Sequence, residues 1–267
     1  MPPTDVPPLG FGTYKLTDHD ECVESVRHAL EIGYRHVDTA QMYRNEEAVG
    51  EGLAAADVDR DEVFLASKIL PENLAYADVV ESTAASLDRL GVDHLDLMYV
   101  HWPTKAYDPV ETTRGLDEIV DRGYARHVGV SNFTPDLLAE ARANLDAPLL
   151  ANQVEMHPLF QQDELVAEAR ANDEYVVAYS PIAKGRVFDV PELVDIGEKH
   201  GATAAQITLA WHRQRENVAA IPKARGDHID ENYASLDVDL DDEDVRRIES
   251  LDVEERIVRP DTGPWTW

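Results

Sequence analysis

The sequence predicts an α/β protein of the (β/α)8 TIM-barrel class, a parallel eight-stranded barrel surrounded by helices. Short apolar stretches alternate with amphipathic ones along the chain, which is the pattern of repeated βαβ units. Eight strand-like stretches are present, and 267 residues suit a barrel that needs about 250. An open doubly wound sheet fits less well, because GFGTYK (10–15) lacks the third glycine of a dinucleotide fingerprint. We expect one domain over residues 1–267.

The predicted strands are short and mostly apolar. Such runs indicate strands that are buried on both faces, as in a parallel sheet. Helical patterns with polar start and stop residues separate them, for example ECVESVRHALEIG (21–33) and ADVVESTAASLDRLG (77–91). In chain order the predicted strands are GFGTY (10–14), HVDTA (36–40), VFLASK (63–68), LDLMYVH (95–101), ARHVGVS (125–131), LLANQVE (149–155), YVVAYS (175–180) and VAAIPK (218–223).

The chain is strongly acidic, with 53 acidic residues against 24 lysines and arginines and a formal net charge of −29. Such a charge repels phosphates, so the sequence excludes a nucleic acid partner. We interpret the charge as an adaptation to a salt-rich cytosol, where it is screened. An acidic surface for a protein partner is the alternative interpretation.

The sequence also predicts a cytoplasmic protein without a membrane partner. No apolar run approaches the roughly 18 residues that span a bilayer. The beginning of the chain, MPPTDVPPLGFGTYKL, lacks the charged and apolar regions of a signal peptide. The single cysteine, Cys22, cannot form an internal disulfide, which fits a reducing compartment.

Four ionisable residues lie at or just after three consecutive predicted strands. They are Asp38, Tyr43, Lys68 and His101. Taken singly, each has a structural interpretation: a helix cap, a packing residue, an exposed charge and a core histidine. A barrel, however, carries its active site at the carboxyl ends of its strands, so all four are expected to meet at one mouth. The sequence therefore predicts a catalytic site there.

These residue types suit the reduction of a carbonyl group. The carbonyl oxygen must gain a proton, and we expect Tyr43 to donate it. The ordinary pKa of tyrosine is about 10, and a neighbouring Lys68 ammonium is expected to lower it. A buried ammonium needs a carboxylate partner, which Asp38 supplies. His101 is expected to hydrogen-bond the carbonyl oxygen and orient it.

Three motifs resemble the catalytic motifs of the aldo-keto reductase family: DTAQMYRNEEAVG (38–50), LASK (65–68) and YVHWP (99–103). The likeness runs from residue 9 to residue 240 and is similar to small prokaryotic members of the 2,5-diketo-gluconate reductase type. It implies that Asp38, Tyr43, Lys68 and His101 form the catalytic tetrad. It further implies a monomer that reduces an aldehyde or ketone with NADPH, and a carbonyl pocket lined by Tyr14, His101 and Trp102. The family often has tryptophan at the position of Tyr14.

Without a dinucleotide fingerprint, the cofactor is expected to lie across the barrel mouth. Ser131, Asn132 and Gln153 are expected to bind the nicotinamide amide and Tyr179 to stack on its ring, roles that the resemblance also implies. The resemblance assigns the pyrophosphate to the segment Ser180, Pro181 and Ile182. Gly12 and Thr13 complete this side of the predicted cofactor site.

The resemblance places the adenosine 2′-phosphate at Ile221, Pro222 and Lys223 and the adenine at Glu231 and Asn232. The chain departs from the family pattern at two positions, Ala224 for serine and His228 for arginine. Arg225 is expected to compensate, because guanidinium binds phosphate well. We therefore predict NADPH as the cofactor, with NADH as the alternative. No metal site is predicted, since the histidines lack metal-binding spacing.

Two other functions stay open at this point. One is an NAD-dependent alcohol or sugar dehydrogenase that works in the oxidative direction. The other is a non-catalytic, nicotinamide-binding regulatory subunit, against which the complete tetrad argues. Short segments after the fourth and seventh strands and a short tail predict an open pocket for small carbonyls. Trp265 and Trp267 are expected either to cover this pocket or to pack underneath it.

Overall fold

A computed structural model of the protein describes residues 4–261 and 263–264, so Trp265 and Trp267 lie outside the described residues. Eight parallel strands form one sheet in which each strand pairs with the next along the chain. Backbone hydrogen bonds from Gly10 to Ala220 (2.8 Å) and from Gly12 to Pro222 (3.0 Å) join the first strand to the last. This closes the sheet and confirms the predicted (β/α)8 fold. The strands are β1 (Phe11–Gly12), β2 (His36–Asp38), β3 (Phe64–Ile69), β4 (Leu95–Val100), β5 (Ala125–Ser131), β6 (Leu149–Glu155), β7 (Tyr175–Tyr179) and β8 (Val218–Ala220).

Helices surround the barrel, and several begin at capping residues that are visible in the sequence. Asp18 accepts a hydrogen bond from the amide of Glu21, and Thr203 forms a reciprocal capping box with Gln206. In the described part of the chain, no helix is long and apolar enough to cross a membrane. The helices are α1 (His19–Ile32), α2 (Glu46–Ala55), α3 (Tyr76–Leu90), α4 (Pro109–Asp121), α5 (Pro135–Asn144), α6 (Asp163–Ala171), α7 (Pro191–His200), α8 (Ala204–Gln214), α9 (His228–Tyr233) and α10 (Asp242–Glu249).

The observed strands agree closely with the predicted ones, and β5 and β6 match residue for residue. Three strands, β1, β2 and β8, are shorter than predicted by two or three residues. At β8, Pro222 has no N–H to donate, which limits the ladder beyond Ala220. The strands were predicted to be buried on both faces, and Arg126 on β5 is a clear exception. Its side chain is exposed and pairs with Asp61 and Asp96.

Alternation of side chains along the strands brings polar groups into the barrel mouth. On β3, Phe64 and Ala66 belong to the apolar cluster inside the barrel, and Lys68 follows in the same phase. On β4, Leu97 and Tyr99 belong to that cluster, and His101 follows in phase. The inner apolar layer is thus covered, at the carboxyl ends of the strands, by a layer of polar side chains: Asp38, Lys68, His101, Ser131, Gln153 and Tyr179.

We expect the fold to lose stability in acid because of a buried histidine. His212 on α8 is fully buried, and burial lowers its pKa from 6.5 to about 4. The unfolded chain therefore binds a proton at this residue first, so stability falls as the pH decreases from 6.5 towards 4. Over this range the free energy of unfolding should decrease by about 3 kcal/mol. Denaturant unfolding of His212→Gln should show a free energy of unfolding that falls less over this pH range.

The matched control for this measurement is His19→Gln. His19 is exposed, and a hydrogen bond to Glu51 raises its pKa, so its protonation favours the folded state in acid; His19→Gln should therefore lose stability at least as steeply as the wild type. Equal pH dependence in the wild type and in His212→Gln would contradict the assignment.

Candidate active site

A buried ion pair lies at the base of the mouth. The Lys68 ammonium donates to Asp38 Oδ1 and, at 2.8 Å, to the carbonyl oxygen of Thr39. Gln153 Nε2 donates to the second Asp38 oxygen at 2.8 Å. Lys68 is inaccessible to solvent and Asp38 almost so. Burial lowers the pKa of Lys68 and the Asp38 charge opposes this shift, so the pair holds a cation inside the barrel.

Tyr43 stands above this pair on a short 3-10 helix, Gln41–Tyr43, which follows β2. The Lys68 ammonium lies 5.1 Å from the centre of the Tyr43 ring. The Tyr43 ring also contacts the imidazole of His101 edge-on, with 5.8 Å between ring centres, and the ring of Tyr14 at 5.1 Å. Three of the predicted catalytic residues, from three different strand ends, therefore converge on one point.

The predicted lowering of the Tyr43 pKa is wrong, because the pKa of this phenol is raised. Burial raises the pKa of Tyr43 well above 10, and the negative charge of Asp38 adds to this increase. Desolvation of the phenolate is thus the largest cause of the shift. A phenol with a raised pKa keeps its proton at neutral pH, which suits a proton donor.

His101 is an uncharged hydrogen-bonding group. Burial lowers its pKa well below 6.5, and the Lys68 charge lowers it further. Its Nδ1 is buried without a hydrogen-bond partner, whereas its backbone oxygen accepts from Asn132 Nδ2 at 3.1 Å. The neutral imidazole can therefore donate one hydrogen bond to a ligand in the mouth.

Gln41 and Glu46 hold the segment that carries Tyr43 in place. The sequence analysis assigned no role to either residue. Gln41 accepts from the Leu70 amide (2.9 Å), and its amide group donates to Ser86 Oγ (3.0 Å). Glu46, buried at the start of α2, accepts from Ser67 Oγ at 2.6 Å and from Arg89 Nε at 2.9 Å. These contacts tie the 3-10 helix and α2 to β3 and α3. The only signal in the sequence was their position inside the motif that carries Tyr43.

The side chains predicted to bind nicotinamide lie together on the opposite side of the mouth. Ser131 Oγ donates to the Gln153 carbonyl oxygen at 2.8 Å, and Asn132 Nδ2 donates to Ser131 Oγ at 3.0 Å. Tyr179 donates to Asn132 Oδ1 at 2.8 Å, which holds its ring in place. Asn132 adopts a left-handed backbone with φ of 67°, a conformation that asparagine tolerates better than most residues.

A strained turn follows β7, at the segment predicted to carry the pyrophosphate. Ser180, Ala183 and Lys184 all have φ near 50°, which is costly for residues with a Cβ. The Ala183 amide donates to the Ser180 oxygen at 2.9 Å, and Pro181 is buried while Ile182 is half-buried. The surrounding fold therefore maintains an unusual main-chain shape beside Tyr179.

The segment after β8 forms a small cationic surface next to β1. Lys223 and Arg225 are exposed, while Ile221, Pro222 and Ala224 are buried beneath them. A Cβ on Gly12 would lie 2.7 Å from the Ile221 oxygen, so only glycine lets the two strands approach here. Thr13 is buried next to this seam, and its hydroxyl donates to the Asp38 carbonyl oxygen at 3.0 Å.

The two residues predicted to approach adenine differ in exposure. Asn232 on α9 is buried. Glu231 is exposed and accepts from His228 Nδ1 at 2.6 Å, so its carboxylate already has a partner within the chain. Arg225, the expected substitute for the family's arginine, is also engaged, in an ion pair with Glu21.

Another buried carboxylate, which the sequence did not single out, anchors the tail near Tyr179. Glu155 accepts from His157 Nε2 (3.0 Å) and from the amides of Ile257 (2.6 Å) and Val258 (2.7 Å). These hydrogen bonds lower the pKa of Glu155 although burial opposes them. The tail segment is therefore fastened to the end of β6.

The predicted carbonyl pocket has an open side. Tyr14 is 52% exposed, and Trp102 is half-buried directly after His101. Among residues 4–261 and 263–264, no group of three or more histidine, cysteine or acidic side chains is arranged to hold a metal ion.

Comparison with known proteins identifies the class. The model of the aldo/keto reductase family matches residues 8–253, and the chain belongs to that family. The protein is accordingly an NAD(P)H-dependent oxidoreductase built on the (β/α)8 barrel described above.

Particular relatives share most of their length with the chain. Glyoxal reductase of Bacillus subtilis is 37% identical over 95% of this chain and 91% of its own. Methylglyoxal reductase of Salmonella typhi is 37% identical over 98% of this chain and 99% of its own. A solved structure described as a 2,5-diketo-D-gluconic acid reductase B superposes with a TM-score of 0.93 at 36% identity, covering 97% of this chain and 92% of its own. An aldo-keto reductase solved with NADPH has a TM-score of 0.89 at 33% identity, covering 96% of this chain and 88% of its own.

Proposed function

We propose that the protein reduces small aldehydes or ketones to alcohols with NADPH, and that Tyr43 donates the proton. The observation that carries this proposal is the Tyr43 phenol beside the neutral His101 imidazole, with the buried Asp38–Lys68 pair beneath. A cation and two hydrogen-bonding groups converge where a carbonyl oxygen would develop negative charge.

The residues around the mouth fit a nicotinamide dinucleotide. Tyr179 presents a ring held by Asn132, and Ser131, Asn132 and Gln153 bring polar groups to the same rim. Lys223 and Arg225 provide positive charge in a chain whose net charge is −29, which favours a phosphate at this point. A bound nicotinamide supplies the hydride that reduces the carbonyl carbon. The NADPH complex of a relative supports the choice of NADPH.

The chain's own residues supply the proton and the orientation. His101 donates a hydrogen bond to the carbonyl oxygen, which orients and polarises it. Tyr43 then transfers its phenolic proton to the same oxygen as negative charge develops there. Lys68 stabilises the phenolate that forms, and Asp38 keeps the lysine charged in the buried site.

Small dicarbonyls are the substrate class that we propose. The pocket is open beside Tyr14, and the relatives named glyoxal reductase and methylglyoxal reductase act on such compounds. The proposed place of action is the cytoplasm, because Cys22 is buried and, among the described residues, has no disulfide partner.

The proposal is tested by the consumption of NADPH in the presence of methylglyoxal, at low and at multimolar KCl. We expect turnover with NADPH to exceed turnover with NADH at limiting cofactor. Lys223→Ala should raise the KM for NADPH by about 10- to 100-fold and leave the KM for NADH unchanged, since a phosphate contact of this kind contributes about 1.5–3 kcal/mol.

Two variants serve as controls. Lys223→Arg keeps the positive charge and should retain most of the NADPH affinity, whereas Lys199→Ala removes a lysine that pairs with Asp241 and Asp244 on the outer helices and should change neither KM. An equal rise in both KM values for Lys223→Ala would contradict the phosphate assignment. Absence of turnover with any small carbonyl, despite tight NADPH binding, would favour the regulatory subunit.

A further inference from the structure

A carboxylate lies inside the cationic surface proposed for the 2′-phosphate. Glu21 Oε2 is 3.0 Å from Arg225 Nη1. The other terminal nitrogen of this guanidinium, Nη2, donates to the carbonyl oxygen of Lys15. Both terminal nitrogens of Arg225 therefore contact the part of the chain that runs from the end of β1 into α1.

The local charges set Glu21 apart from the other acidic residues. Burial lowers the pKa of Lys223, Arg225 and Lys15 lower it further, and Glu21 raises it. Three cations thus surround one spot in a chain that has only six lysines, and Glu21 is the acid that interacts with both Lys223 and Arg225. Such a concentration of positive charge in an acidic protein favours an anionic ligand.

The ion pair between Arg225 and Glu21 can be broken at little cost in free energy. The side chains of Arg225 and Glu21 are 43% and 36% exposed, and ion pairs of this exposure contribute little to stability. A phosphate binds guanidinium best through two parallel hydrogen bonds. Glu21 and Lys15 accept from the two terminal nitrogens of Arg225, so they compete with a phosphate for this side of the guanidinium.

We infer that Glu21 is a specificity-determining residue that competes with the 2′-phosphate of the dinucleotide for Arg225. The inference rests on the proposed function, because it assumes that the phosphate lies at Lys223 and Arg225. Glu21 weakens NADPH binding in two ways: it occupies the guanidinium and it repels the phosphate. NADH has no phosphate at this position, so its binding is insensitive to Glu21. The wild-type protein therefore prefers NADPH over NADH less strongly than it would if Lys223 and Arg225 acted without Glu21.

The test is the dissociation constant of each cofactor, measured by quenching of tryptophan fluorescence in the full-length protein. In Glu21→Gln we expect NADPH to bind about two- to fivefold more tightly at low salt, the range of one exposed charge interaction. The NADH constant should stay unchanged. In multimolar KCl the gain should shrink, because the Debye length falls to about 3 Å at 1 M.

The matched control is Glu24→Gln. Glu24 lies on the same helix and pairs with Arg27, so this variant makes the same change of net charge away from Arg225. It should alter neither constant. In the Arg225→Ala background, Glu21→Gln should give a smaller gain, because only the direct repulsion between Glu21 and the phosphate is then relieved.

Two results would overturn the inference: no change in NADPH affinity for Glu21→Gln, or an equal change for both cofactors. Lys223→Ala separates this failure from failure of the proposed function. If Lys223→Ala loses NADPH affinity selectively while Glu21→Gln has no effect, the phosphate site stands and only the role of Glu21 is lost. If neither variant affects NADPH, both the phosphate site and the inference are wrong.

Discussion

Tyr43→Phe is expected to lower kcat for carbonyl reduction by about a thousandfold, within the range of about 10²–10⁴ for a positioned general acid. Phenylalanine keeps the ring that contacts His101 and Tyr14, so packing and cofactor binding should change little. Only the ionisable hydroxyl is lost. The measurement is steady-state turnover of methylglyoxal with NADPH, together with the dissociation constant of NADPH.

The pH dependence of kcat tests the role of Tyr43 independently. Because burial raises the pKa of Tyr43, the phenol stays protonated and reduction should hold its plateau well into the alkaline range. Tyr124→Phe is the matched control. Tyr124 lies just before β5, at the end of the barrel away from the mouth. Removing its hydroxyl should therefore leave kcat unchanged. Near-wild-type turnover of Tyr43→Phe would eliminate the proposed mechanism.

Lys68→Met is expected to impair both stability and catalysis. The substitution leaves the Asp38 carboxylate buried without its cation, and breaking a buried pair in this way costs about 3–5 kcal/mol. It also removes the positive charge 5.1 Å from the Tyr43 ring centre, so kcat should fall by about 10²-fold or more. Denaturant unfolding and steady-state kinetics measure the two effects separately.

A double variant separates stability from chemistry. Asp38→Asn combined with Lys68→Met removes both charges at nearly constant volume, so most of the lost stability should return. Turnover should not return, since no cation is left to stabilise the Tyr43 phenolate. Recovery of activity together with stability would show that the pair has only a structural role.

Much of the fold could be predicted because its signals are local. Short apolar strands and capping residues are readable in the sequence, and β5 and β6 were predicted to the residue. The candidate site was also predictable in outline, because strand ends in a closed barrel must share one mouth. The convergence of Tyr43, Lys68 and His101 follows from this geometry.

What the sequence could not indicate is how charges are paired and desolvated. Glu21 reaches Arg225, and Gln153 reaches Asp38, only because closure of the barrel joins segments that are far apart in the chain. The raised pKa of Tyr43 likewise follows from burial and from the nearby charge of Asp38. The sequence by itself determined which chemical groups stand at the strand ends. Tertiary structure alone decided their partners and protonation, because Coulomb energies and desolvation depend on distances and solvent exclusion in three dimensions.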